Sequence, residues 1–334
     1  MKTIVLIPHG IGDVIMALPL LRAITQKPND KIMVLVKSRL EGELLELTGL
    51  SNKKIYISIL NDGNFFSKIK LIFLLIRFRA DSIVNGFGVD PMKAGFLSFL
   101  SNSKYKITSN AGAFGLFFSH NVTLNDTTHK VEYYHQVICL LGRSTVKIEN
   151  RLNLFNKLPK ILPRYVSSSV VIALAFGSGG VESHKRLPKY LAQDLTLNLQ
   201  RVFPLCTIIL LGGHAERSLN KSIEDLDGFN GVNLTGITSI EETISILSIS
   251  KVLVACCNGV SHMASLVDLP VVGLYGPTDP RVTSPWGVDL SIVSRKLSCS
   301  PCYSKDFITG CGNPICMEFT VKEIVEQVDK VIEL

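Results

Sequence analysis

Short apolar runs, each closed by a turn and followed by a helical pattern, recur along the whole 334-residue chain. Thr3–Ile7, Ile32–Val36, Lys54–Ile59 and Ser82–Gly86 read as strands in the first half. Val170–Phe176, Thr207–Leu211, Val232–Leu234, Val252–Cys256 and Val271–Tyr275 do so in the second. Runs that are apolar at consecutive positions suit strands buried on both faces, and strands alternating with helices are the pattern of a parallel α/β sheet. Residues 104–125, richer in Ser, Asn and Gly, read as short strands and loops.

Residues 156–169 carry two prolines and a Ser triplet and read as a linker, after which the pattern restarts. The expected architecture is α/β with two Rossmann-like domains facing a cleft. The first covers 1–155 and the second 170–318, with a terminal helix over 319–334.

Composition narrows the class. With 46% apolar and 19% charged residues and a mean hydropathy of +0.31, the chain is not of the disordered type. No apolar run approaches the roughly 20 residues of a membrane-spanning helix. The run Met1–Ile7 is cut by Pro8, His9, Gly10 and Asp13, too early for the apolar part of a signal peptide. The expected location is therefore cytoplasmic, where eight cysteines are thiols or metal ligands rather than a disulfide framework. Charge is uneven: residues 1–150 hold eighteen Lys/Arg against eleven Asp/Glu, whereas residues 151–334 hold seventeen of each. Either the first half meets something anionic or its surface varies by chance.

Several turns carry groups suited to chemistry. Gly10-Ile11-Gly12-Asp13 follows the first strand and opens a helix. Glycines there allow a sharp turn and close approach to a ligand, and the helix start offers free N–H groups. It is not the GxGxxG of a dinucleotide site. Asp13 reads either as an N-cap or as a carboxylate at the ligand-binding edge of the sheet, able to act as general base. Gly177-Ser178-Gly179-Gly180, followed by Lys185 and Arg186 before a helix, reads as a diphosphate site or as a mobile basic loop. The cations oppose the helix dipole, which favours the anion. Gly212-Gly213-His214-Ala215-Glu216 is a strand-end turn. Asn258-Gly259-Val260-Ser261-His262 and Gly276-Pro277-Thr278-Asp279 end two further strands, bringing polar residues to one edge. Asp225-Leu226-Asp227 superficially matches a metal-binding D-x-D but follows no strand and reads as solvated.

Taken together, PHGIGDVIMALPLLRAI near the start, the Gly-rich loop with KRLP, and NGVSHMASLVDLPVVGLYGPTDP resemble glycosyltransferase family 9. Its best-known members are ADP-heptose:lipopolysaccharide heptosyltransferases. The likeness runs from about Ile4 to Val331. It implies a GT-B fold, with acceptor bound by the first domain and nucleotide-sugar by the second, and inverting transfer that needs no cofactor. On this likeness Asp13 would deprotonate the acceptor hydroxyl beside His9, Gly10 and Gly12. Lys185, with Arg186, Ser178, Gly179 and Gly180, would neutralise the donor phosphates. Glu216, with Gly212 and Gly213, would lie near the nucleoside. Asn258, Gly259, His262, Thr278 and Asp279 would line the donor pocket. One position departs from the family, which usually has Asp where this chain has Cys257. Cysteine supplies neither a fixed charge nor two good acceptors, so the hydroxyl pattern of the donor sugar is in question there.

Two features remain. Cys299, Cys302, Cys311 and Cys316 are spaced compatibly with a structural zinc or iron site, or are free thiols, or disulfides. Residues 65–79 are apolar at the centre and flanked by Lys68, Lys70, Arg77 and Arg79. This is either a core helix with solvated ends or a helix meeting the membrane surface or acceptor phosphates. The expected partners are a nucleotide-sugar such as ADP-heptose, a lipopolysaccharide-core, O-antigen or related glycan acceptor, and the inner face of the cytoplasmic membrane. Nucleic acid is not expected, since no basic-aromatic stacking surface is evident. The rival readings are a nucleotide-sugar epimerase or hydrolase, and a non-catalytic nucleotide- or glycan-binding protein.

Overall fold

A computed structural model describes residues 1–50, 55–59, 65–144, 170–179, 182–302 and 311–333, with backbone alone for 55–59 and 65–68. The chain divides into two compact units, Met1–Leu154 and Phe155–Leu334. The expected linker, 156–169, lies outside the described residues.

The first unit alternates β1 (Lys2–Ile7), α1 (Ile11–Ala23), β2 (Lys31–Val36), α2 (Arg39–Leu47), β3 (Ile55–Ile59), α3 (Phe65–Phe78), β4 (Ser82–Asn85), α4 (Pro91–Leu100), β5 (Tyr105–Ser109), β6 (His120–Val122) and α5 (Lys130–Leu140). Its six strands lie in the order β3-β2-β1-β4-β5-β6, all parallel. Ile4 to Ile7 and Ile32 to Val36 are buried at every position, as a sheet covered on both faces requires. The interior of α1 is apolar on all sides, and Val14 to Leu21 are buried without a break, against α5 among others. Pro19 sits inside that helix. It gives up one N–H bond in the middle of a buried element.

The second unit runs β7 (Val170–Ala175), α6 (Lys189–Val202), β8 (Cys206–Leu210), α7 (Arg217–Glu224), β9 (Gly231–Asn233), α8 (Ile240–Ile249), β10 (Val252–Cys256), α9 (Gly259–Ala264), β11 (Val271–Tyr275), α10 (Pro280–Thr283), β12 (Leu290–Ser294) and α11 (Val321–Glu333). The strand order, β12-β11-β10-β7-β8-β9, repeats that of the first unit, again all parallel. Helix α11 turns Ile324, Val328 and Val331 into the same core as Leu191, Leu195 and Leu199 of α6. These spacings each form one helical face.

Both units are thus doubly wound sheets, in which chain direction across the sheet reverses once. In the first, the reversal falls between β1 and β4; in the second, between β7 and β10. Open sheets of this kind bind ligands outside the carboxyl ends of the strands at that switch point. Strand β12 has no counterpart in the sequence reading, because its alternating exposed positions make a weak apolar signal.

Candidate functional site

The turn after β1 stands at the first unit's switch point and carries His9, Gly10 and, in the first turn of α1, Gly12 and Asp13. The helix is capped by Gly10 in an extended conformation with no side-chain cap, and Asp13 lies inside the first turn. The capping alternative for Asp13 therefore falls away. Its carboxylate faces a cation instead: Lys130 Nζ donates to Asp13 Oδ1 at 3.2 Å. Both side chains are mostly buried but retain some exposure. The same ammonium lies 5.8 Å from the centre of the Phe87 ring, in the loop after β4. Tyr134, on α5, is fully buried, and its phenol is pushed up by burial and by the charge of Asp13. Four groups from three segments thus meet beside the end of β1.

Close approach at this point depends on Gly86. Its N–H donates to the Leu6 carbonyl at 2.7 Å, and a Cβ there would lie 2.6 Å from that same oxygen. Only a residue without a side chain lets β4 end so tightly beside β1. A partly open carboxylate at a helix start, fixed by a cation, is equipped to accept a proton from a bound hydroxyl.

At the second unit's switch point, Asn258 ties the two central strands together. Its Nδ2 donates to the carbonyls of Ala175 at 2.9 Å and Gly177 at 2.8 Å, while its Oδ1 caps α9 by accepting from Ser261 N–H. Gly259 opens that helix and His262 is buried within it. Asn suits this position because its amide can donate and accept at once.

Glu216 holds the neighbouring loops. One carboxylate oxygen accepts from Gly179 N–H at 3.0 Å, the other from Gly213 N–H at 2.8 Å, and Arg186 Nη2 lies 3.7 Å away. A buried carboxylate is tolerated because these groups replace its water. Its stem covers Gly177, where a Cβ would lie 1.9 Å from Glu216 Cγ. Gly212, also against Glu216, has φ +158. Glu216 therefore clamps the loop after β7 to the loop after β8.

Both cations of the Gly-rich loop are already engaged. Lys185 is buried and pairs with Glu182 at 3.0 Å. Arg186 also donates to the Gly179 carbonyl. The Ser178 hydroxyl donates to the Glu182 carbonyl at 2.5 Å. Gly180 lies outside the described residues. Next along the edge, Cys257 Sγ sits 3.7 Å from Thr283 Oγ1. Thr278 is buried. Asp279 caps α10 and takes a two-pronged contact from Arg281, at 3.0 and 2.7 Å. That guanidinium holds the Asp279 carboxyl below the usual carboxylate range against the opposing effect of burial. Asp225 and Asp227 are exposed, and Asp225 pairs with Lys221.

The cysteine-rich segment is laid against the loop after β11. Ser300 Oγ donates to the Gly276 carbonyl and Cys302 N–H to the Pro277 carbonyl at 2.9 Å. Cys316 and Met317 fill the space a Cβ at Gly276 would occupy. All eight cysteines are free thiols. Among the described residues, no three His, Cys, Asp or Glu side chains form a group able to hold a metal ion.

Two engaged residues escaped the sequence reading. Lys130 has no local signal, being 117 positions from Asp13. Glu182 does have one, lying three residues before Lys185.

Two doubly wound units of the same strand order in one chain define the GT-B class of fold. A solved structure of Escherichia coli ADP-heptose lps heptosyltransferase II superposes with a TM-score of 0.72 at 18% identity, covering 100% of this chain and 99% of that one. A glycosyl transferase family 9 structure from Veillonella parvula gives 0.74 at 15% identity, covering 99% and 97%. In sequence, the lipopolysaccharide heptosyltransferase 1 of Salmonella typhimurium is 33% identical over 75 residues, 22% of this chain and 22% of that protein's length. The family model for glycosyltransferase family 9 (heptosyltransferase) matches residues 94–311, and the chain belongs to that family.

Proposed function

We propose that this protein is an inverting glycosyltransferase. It would move heptose from a nucleoside-diphosphate donor of the ADP-heptose kind to a lipopolysaccharide-core, O-antigen or related surface-glycan acceptor, at the inner face of the cytoplasmic membrane. The observation that carries the reading is Asp13, a partly open carboxylate at a switch point, held by Lys130. On this reading Asp13 takes the proton of the acceptor hydroxyl as that oxygen bonds to the anomeric carbon. The bond from that carbon to the diphosphate oxygen breaks, and the electron pair leaves with the nucleoside diphosphate. Lys185, Arg186 and the amides of Gly177 and Ser178 supply the positive charge that stabilises it, so the reading requires no cofactor. Donor phosphates would compete with Glu182 for Lys185. Asn258, Gly259, His262, Thr278 and Asp279 line the donor side, where Cys257 offers the sugar a neutral, weakly bonding neighbour in place of a carboxylate.

The test uses the full chain, ADP-heptose and a heptose-free lipopolysaccharide core. Asp13→Asn should lower transfer by about 10²–10⁴-fold and Lys185→Ala by about 10²–10³-fold, with the folded circular-dichroism spectrum retained in each. Unchanged turnover in both variants would remove the assigned roles. Donor consumed equally fast without acceptor would favour an epimerase or hydrolase. Nucleotide binding without any product would favour a non-catalytic binder.

A further inference from the structure

Helices α3 and α4 each bury one face and leave an apolar face in water. On α3, Leu71, Leu74 and Phe78 pack on the core of the first unit, while Ile69, Phe73 and Ile76 are exposed. On α4, Ala94 and Leu97 pack inward, and Gly95 is covered by Phe117. Met92, Phe96 and Phe99 face out, Phe99 at 70%. Both outward sets follow the spacing i, i+4, i+7, so each is a continuous stripe rather than a scatter. The helices are neighbours, and the 3-10 turn Gly112–Phe117 packs on α4. That turn adds Leu116, which is 97% exposed. Isolated exposed apolar residues need no explanation, but two apolar stripes on neighbouring helices mark a surface that something covers.

Charge identifies the occupant. Residues 63–119 contain seven Lys/Arg and two Asp/Glu. Both carboxylates are engaged inside the unit: Asp81 accepts from Lys2 N–H and Asp90 caps α4. The exposed cations Lys70, Arg77 and Arg79 flank the α3 stripe, and Lys93 lies beside the α4 stripe. The side chain of Lys68 is outside the described residues. A second copy of this surface would bring like charges together, whereas anionic lipid would neutralise them while its acyl region takes the phenylalanines. Among the described residues no helix is long and apolar enough to cross a membrane, so the contact is interfacial.

We propose that the outward faces of α3 and α4, with the 112–117 turn, form a docking surface for an anionic lipid bilayer. The proposal does not depend on the donor or on transfer. Its test is flotation of the full chain with vesicles of phosphatidylcholine containing one-third phosphatidylglycerol, against pure phosphatidylcholine. The protein should float with the anionic vesicles and be released by salt. Phe96→Ser/Phe99→Ser and Lys70→Gln/Arg77→Gln should each weaken binding at least tenfold, with circular dichroism unchanged. Leu205→Ser, at an exposed apolar site in the second unit, should have no effect. Failure of the unaltered protein to float with either vesicle would overturn the proposal. So would a dimer, seen by sedimentation velocity without flotation, that Phe96→Ser/Phe99→Ser turns into monomer, since the patch would then join copies of the chain.

Discussion

Lys130 Nζ and Asp13 Oδ1 are 3.2 Å apart although 117 residues separate them in sequence. The ion pair joins the first turn of α5 to the first turn of α1, beside the end of β1. A charge-assisted hydrogen bond of this kind contributes about 1.5–3 kcal/mol. On the proposed reading the pair orients the base, so Lys130→Met should reduce turnover about 10–100-fold while changing donor affinity little. Steady-state kinetics with a separate donor titration checks this. An unaltered kcat would mean that the pair serves stability alone.

Glu216 offers a stability test. Glu216→Ala leaves the N–H groups of Gly179 and Gly213 without their acceptor and Arg186 without its carboxylate. The expected cost is about 2–5 kcal/mol, read as a lower denaturant midpoint with an unchanged slope. Glu216→Gln should recover part of it, because one amide oxygen can still accept.

Gly177 tests the same clamp from the other side. Gly177→Ala puts a methyl group 1.9 Å from Glu216 Cγ, so the carboxylate must leave its two amides. The expected loss is similar to that of Glu216→Ala, and the two together should be far from additive. Gly115→Ala, where nothing lies within 4 Å, should be nearly neutral. Equal melting temperatures for the Gly177 and Gly115 variants would contradict the clamp.

Acid should reveal Asp30. Its carboxylate is buried, which by itself raises the pKa. Hydrogen bonds from Arg143 at 2.8 Å, the chain's amino group and the Lys27 amide outweigh burial and hold it below the ordinary 3.8. A carboxyl group depressed on folding stabilises fully above its unfolded pKa and loses that contribution as pH falls through the folded value. Asp30→Asn should thus cost about 1–3 kcal/mol at pH 7. The difference from the unaltered protein should shrink as pH drops below 3.8. Urea unfolding at several pH values measures it, and a gap that widens in acid would refute the assignment.

Thiol reactivity reports on the cysteine-rich segment. Burial pushes Cys316 up to about 11 and Cys256 up to about 12, whereas Cys299 and Cys311 are exposed. Since the thiolate is the reactive form, iodoacetamide at pH 8 should modify Cys299 and Cys311 well before the other two, as followed by mass spectrometry. Equal rates would mean that Cys316 is not packed on Gly276.

Much of this was legible in the chain itself. Strand β10 lies where the apolar run Val252–Cys256 put it, and α6 spans Lys189–Val202 where a helix from Pro188 to Phe203 was expected. These elements announce themselves because burial on both faces of a strand, or one face of a helix, is written into neighbouring residues. The glycine-bearing turns at 10, 177, 212 and 259 were legible because glycine punctuates the end of an apolar run. Strand β12 was not, since its mixed exposure erases the pattern.

Local patterning thus sets the alternation of elements, the turns that end them and the residue types those turns carry. Tertiary structure alone decided the strand order, and with it which turns stand at a switch point. It also chose Lys130 as the partner of Asp13 and made Glu216 a clamp on Gly179, 37 residues away. Periodicity is a local property, whereas pairing between distant residues depends on which packing buries every apolar face at once. The outward stripes of α3 and α4 show the difference. Residues 65–79 read as apolar at the centre in sequence, and only packing shows that Ile69, Phe73 and Ile76 face water while Leu71, Leu74 and Phe78 face the core.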